Sequence, residues 1–234
     1  MTITEIRPVA AAHTVTADIY RNIHKAIRAD LFHLVLDAGR TDAGSDQARA
    51  ELATRVQMSM TGLEVHAGHE DEFISPVLVQ HLPEIADRIE SDHHAFEGRG
   101  AYLCDLAGAA VEASGAERRI LVHQLYLDLA GFTSSYLAHQ DLEERTLTPA
   151  LEALIGPEGM WALDAQIVGS MAPEELAHGL SMMLPAMNLD DRAEMLGGMQ
   201  AGAPAEVFDG LWSIAGTVLA PADHAALAYR LGLD

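Results

Sequence analysis

Two stretches of this chain follow one pattern: His66-Ala-Gly-His-Glu70-Asp71-Glu-Phe-Ile-Ser-Pro76-Val-Leu78 and His139-Gln-Asp-Leu-Glu143-Glu144-Arg-Thr-Leu-Thr-Pro149-Ala-Leu151. In each, a histidine is followed four residues on by glutamate and then by a second acid, with a proline ten residues after the histidine and a leucine two beyond it. One His-x-x-x-Glu arises easily by chance, whereas two with the same downstream proline do not. Four residues of α-helix rotate the chain by about 400°, so each histidine and its glutamate lie about 40° apart on one face and one turn apart in height. The second acids, Asp71 and Glu144, are turned about 140° from the histidines and are expected to face solvent, with Glu144 kept as an alternative to Glu143.

The rest of the chain supplies helices to carry such a repeat. Alanine, leucine and methionine abound and alternating β-branched stretches are scarce, so the chain reads as all-α. Helices are expected over about 14–37, 46–80, 83–113 and 117–154. Gly39 ends the first, Pro83 opens the third, and Ser114 with Glu117 has the spacing of a capping box for the fourth. Short connections favour antiparallel neighbours, an up-down four-helix bundle over 13–155. Gly156-Pro157 marks its boundary with a helical C-terminal extension, 157–234, punctuated at Pro173, Pro185, Asn188, Pro204 and Pro221. Pro173 and Pro221, each followed by acids, read as helix starts.

Composition narrows the function classes. Among 234 residues, 35 acidic against 14 basic side chains give a net charge of -21, a long-range field that opposes nucleic-acid backbones and anionic membrane surfaces. No apolar run is long enough to span a membrane and the first residues lack the pattern of a signal peptide, so a cytoplasmic protein is expected. A single cysteine, Cys104, forms no disulfide within the chain and reads as a small core residue. Twelve histidines in so acidic a chain call for an explanation.

Each predicted bundle helix offers an inward candidate: His24 on the first, His66 and Glu70 on the second, His93 and Glu97 on the third, His139 and Glu143 on the fourth. Imidazole plus carboxylate suits iron or manganese, and no cysteine accompanies any candidate to suggest a thiolate zinc site. Carboxylates can also bridge two metals, as imidazole cannot. Among the other histidines, His69 and His94 are expected beside the site or on the surface, and His33 and His123 on far faces. His13 lies about 16 Å along the helix from His24, and His81, His178 and His224 fall outside the pattern. Tyr20 and Tyr136, one turn before His24 and His139, are either packing residues or donors to a bound oxygen species. The methionines of the extension read as core filling.

These features resemble the hemerythrin-like, HHE-type cation-binding domain, a four-helix bundle around a non-haem di-iron centre. The resemblance covers roughly 13–155 and rests on the paired His-x-x-x-Glu segments with their proline, together with His24 and His93. It implies two non-haem iron ions, or manganese at one or both positions, ligated by His24, His66, Glu70, His93, Glu97, His139 and Glu143, with Glu70 and Glu143 bridging. The oxygen-carrying members have histidine where this chain has Glu97, and an aspartate five residues after the fourth-helix histidine, where Glu144 stands here. The extra carboxylate is expected to favour the oxidised metals, and hence reaction with or sensing of O2, peroxide or NO over reversible carriage. A di-iron oxidase or oxygenase, with the C-terminal helices enclosing an organic substrate, is the alternative, and iron handling a third reading. The extension itself is similar to the helical tail of some bacterial members. A ferritin-like site would use Glu90/His93 and Glu175/His178, but the second pair lies in the proline-punctuated extension.

Overall fold

The computed structural model describes residues 15–233, so His13 and the N-terminal stretch read for a signal peptide lie outside the described residues. Every regular element among the described residues is helical: α1 (Arg21–Arg40), α2 (Asp46–His69), α3 (Ser75–His81), α4 (Pro83–Glu112), α5 (Glu117–Leu142), α6 (Thr148–Ser170), α7 (Pro173–Ala186), α8 (Leu189–Gly202), α9 (Ala205–Val218) and α10 (Pro221–Leu231). Single π-helical turns, Glu70–Ile74 and Glu143–Leu147, join α2 to α3 and α5 to α6.

The helices α1, α2, α4 and α5 pack in a ring, α1 on α2, α2 on α4, α4 on α5 and α5 on α1. They enclose one apolar core containing Leu31, Leu34, Val56, Leu125, Leu129 and Phe132, with Cys104 packed against it. Each fully buried side chain of this kind contributes about 1.5–3 kcal/mol relative to exposure. A second cluster closes one end of the ring and joins Ile74 and Leu78 to Leu147, Leu151, Tyr20 and Met160.

The helix ends are set locally. Ser45 accepts a hydrogen bond from the Ala48 N–H at 3.2 Å and caps α2. Pro83, Pro173 and Pro221 each stand in the first turn of a helix, as expected. Two boundaries differ from expectation. The first helix begins at Arg21, not near 14, because Asp18 accepts from the Tyr20 and Arg21 N–H groups and the Thr16 and Ala17 N–H groups are held by the Glu152 carboxylate at 2.7 and 2.8 Å. The Ser114 hydroxyl does not cap α5; Gly115 at φ +57° turns the chain, and the Glu117 N–H donates instead to the Ser114 carbonyl.

At Gly156 the backbone leaves the helix (φ 71°, ψ 168°) and restarts at Pro157, yet Met160 and Leu163 beyond the bend pack with Leu147 and Leu151 before it. Helices α7 to α10 share a further core of Leu180, Leu184, Leu196, Ala215 and Leu227, against which Met183, Met195 and Met199 pack. This unit docks through α7 on α1. Asp191 receives Lys25 and Arg21, and Glu175 lies 3.3 Å from His69. Among the described residues no helix is long and apolar enough to cross a membrane.

Candidate metal centre

The prolines of the sequence repeat explain the two π-turns. Pro76 and Pro149 have no N–H to give to the preceding turn, and their rings clash with a regular α-helical carbonyl. The Ser75 N–H then bonds to the Glu70 carbonyl, and the Thr148 N–H to that of Glu143. The Thr148 hydroxyl also donates to the Glu143 carbonyl at 2.8 Å. The extra residue in each turn re-aims the helix beyond it. In an unbroken α-helix Ile74 and Leu78 would stand about 80° and 120° from His66, but one inserted residue subtracts about 100°, leaving both within about 20° of the inward face. Leu147 and Leu151 are placed the same way after His139. All four leucine and isoleucine side chains are buried.

Four histidines and two glutamates meet between these turns. The Glu70 carboxylate sets Oε1 3.2 Å from His66 Nε2 and Oε2 3.1 Å from His93 Nε2. Glu143 sets Oε1 3.0 Å from His139 Nε2 and Oε2 3.4 Å from His24 Nε2. Each glutamate therefore divides its two oxygens between two histidine pairs, His24 with His66 and His93 with His139. The Nε2 atoms of His24 and His66 are 3.3 Å apart, and the rings of His93 and His139 stand 5.1 Å apart. Glu70, His93, His139 and Glu143 form one group able to hold a metal ion, and His24, His66 and Glu70 a second that shares Glu70.

The donor set fits metal ions. Both oxygens of Glu70, both of Glu143 and Nε2 of His93 are buried without a hydrogen-bond partner, a costly arrangement for charged groups unless something else satisfies them. Two ligand atoms about 2.1 Å from one ion and about 90° apart lie about 3.0 Å from each other, close to the spacings seen here. The electrostatics agree. Burial would raise the Glu70 carboxyl, but the imidazoles of His66, His93 and His24 outweigh it and hold it at about 2. Burial, reinforced by Glu70, Glu144 and Asp92, pushes Glu143 well above the ordinary carboxylate range. His66 and His139 are held down at about 4, chiefly by burial. Without a cation the centre keeps a proton on Glu143 and leaves His66 and His139 neutral, the form in which imidazole ligates a metal, while His93, lowered by burial, is carried above the ordinary imidazole value by Glu70 and Asp71.

The second acids of the repeat have a use that rotation angles do not reveal. Glu144 Oε1 lies 2.9 Å from His24 Nδ1 and accepts from Arg28 at 2.6 Å; Asp71 Oδ1 lies 2.9 Å from His93 Nδ1. Each reaches a histidine of a neighbouring helix, although Asp71 also stays half exposed. Asp92 Oδ2 stands 3.5 Å from His139 Nδ1. Such carboxylates fix which ring nitrogen carries the proton and so aim the other at the centre. The signal available in sequence was that both segments carry a second acid at the same position, Asp71 in one and Glu144 in the other.

Glu97 is the expected ligand that the structure does not bring in. It is 72% exposed, beside His94 and outside both groups. The spacing from His93 puts it on the same flank of α4 one turn away, level with Met60 and Gly100 and not with the glutamates. The additional negative charge expected on the metals from Glu97 is therefore not supplied. His33, His81, His94, His123 and His178 are exposed, and the His224 ring packs at a tilt against Trp212, their centroids 4.2 Å apart. Tyr20 and Tyr136 are buried against the glutamates; burial and then the charges of Glu70 and Glu143 push both hydroxyls up. A cavity of about 40 Å³ adjoins the site between α2 and α4, bounded at its inner end by His93, Phe132 and Tyr136.

A ring of four helices with paired histidines and two shared carboxylates at its centre defines a helical protein with a site able to hold metal ions. The chain belongs to the hemerythrin HHE cation-binding domain family, whose model matches residues 15–151. No curated protein and no solved structure matches it.

Proposed function

We propose that His24, His66, Glu70, His93, His139 and Glu143 hold two non-haem iron ions, with manganese an alternative occupant, and that the centre binds or reacts with a small ligand such as O2, NO or peroxide. The observation that carries this reading is the division of each buried glutamate's oxygens between the two histidine pairs. When bound, an iron pair supplies redox electrons and open coordination positions that imidazole and carboxylate alone do not. The chain's own residues do the rest. Glu70 and Glu143 would each offer one oxygen toward either histidine pair, Asp71 and Glu144 aim His93 and His24, and the Tyr20 and Tyr136 hydroxyls keep their protons beside the carboxylates, available as donors.

The size of the adjoining space favours a diatomic-sized ligand over an organic substrate. About 40 Å³ suits one or two small molecules, whereas substrate pockets are usually about 300 Å³ or more. Its lining comes from α2, α4 and α5, and the C-terminal helices contribute no wall.

Elemental analysis of protein expressed with ample iron is expected to give about two metals per chain. Less than one, or retention of both by the double variant His66→Ala/His139→Ala, would overturn the reading. The reduced protein should then show an optical change on exposure to O2.

A further inference from the structure

We infer that small uncharged ligands reach the His93/His139 half of the centre through the cavity between α2 and α4, with Gly100 setting its bore and Glu64 and Glu97 screening its mouth against anions. The inference rests on the metal-centre reading and adds to it an entrance, a side and a selectivity.

The cavity meets His93 and Tyr136 but neither His24 nor His66. In the opposite half His24 is fully buried, with the Tyr20 ring, itself 2% exposed, 4.9 Å from it, and His66, though 11% exposed, lines no part of the cavity. A ligand arriving through the cavity therefore meets His93 first, on the side of the centre that His93 shares with His139. The walls are apolar, with Met60, Leu63 and Phe132 all buried, and offer a hydrated ion little to replace its water.

Gly100 lines the cavity against Met60. A Cβ there would stand 3.4 Å from Met60 Sδ and 3.7 Å from Met60 Cβ and Cγ. A single methyl group fits against the thioether, whereas a longer side chain must occupy the void or displace Met60. At the mouth, the carboxylates of Glu64 and Glu97 are exposed on facing helices, α2 and α4. In a chain of net charge -21 they raise the local barrier to an anion and leave a neutral diatomic molecule unaffected. This gives Glu97 a place in the site without ligation.

The test compares nitric oxide, a neutral probe, with azide, an anionic one, by stopped-flow absorbance on iron-loaded protein of verified metal content. Gly100→Leu is expected to slow NO association about tenfold or more, and Met60→Ala to speed it several-fold. Glu64→Gln combined with Glu97→Gln should raise the azide rate relative to the NO rate at low ionic strength. Crystals pressurised with xenon probe the cavity without metal: xenon is expected beside Phe132 in the parent protein and absent from Gly100→Leu. NO association unchanged in Met60→Ala and in folded Gly100→Leu, or a parent cavity that takes no xenon, overturns the inference. A chain that takes up no iron would instead overturn the metal-centre reading, and the xenon result would still decide the cavity.

Discussion

At the residue scale, the pairing of an inward acid with an outward one is what organises the centre. Glu70 and Glu143 each serve two histidine pairs, while their neighbours in the chain, Asp71 and Glu144, hold the far nitrogens of His93 and His24. Removing such an outer carboxylate frees the ring to rotate and lowers its basicity, which typically costs 10–100-fold in metal affinity. Asp71→Ala is expected to weaken metal binding by about that factor in a chelator-competition titration, with little change in the far-ultraviolet spectrum. An affinity equal to that of the parent would show that His93 needs no help in orientation. Glu144→Ala should behave similarly and also release Arg28.

At the scale of the element, the two π-turns are where counting along a regular helix stops working. The histidine and its glutamate precede the turn, so their common face is legible from the four-residue spacing alone. Beyond Glu70 and Glu143 the inserted residue shifts every angle by about 100°. The inward placing of Ile74, Leu78, Leu147 and Leu151 thus comes from the prolines and not from helical periodicity. Glu97 departs from expectation for a related reason: sharing a face with His93 fixes direction around α4 but not height along it, and the glutamates lie at the level of His93. Several helix starts are legible, because they are marked by Pro83, Pro173 and Pro221. In Pro149→Ala the restored N–H lets an α-helical turn compete with the π-turn. Intrinsic helix propensity rises by up to about 3 kcal/mol, offset by the rotation of Leu147 and Leu151 about 100° away from their buried positions, so the metal-free protein should melt close to the parent while its metal affinity falls. Calorimetry beside a metal titration checks both halves, and an unchanged affinity would remove the π-turn from the account of the site.

At the scale of the whole molecule, the buried centre makes stability depend on pH in both directions. His66 and His139 are depressed to about 4 from an ordinary 6.5, so their contribution is present above pH 6.5 and is lost as pH falls through 4. Glu143 is raised, so its contribution is present below the ordinary carboxylate value and is lost as pH rises through its elevated one. The metal-free protein is expected to be most stable near pH 6.5, with two histidines outweighing one glutamate on the acid side. Bound metal should remove the alkaline loss by taking the place of the Glu143 proton. Thermal denaturation across pH with and without metal measures this, and an alkaline limb unaffected by metal would contradict it.

The four histidines stand on four different helices, and the sixth member of the set, Glu143, comes almost a hundred and twenty residues after His24. Any stretch of chain that ends before α5 holds at most the first pair and half of the second. During synthesis, then, the binding site cannot exist until the last helix of the ring has emerged and docked. A metal that binds only the closed ring acts as a late latch, adding about 4.1 kcal/mol to the finished fold when present at a thousand times its dissociation constant, and nothing to the unfinished one.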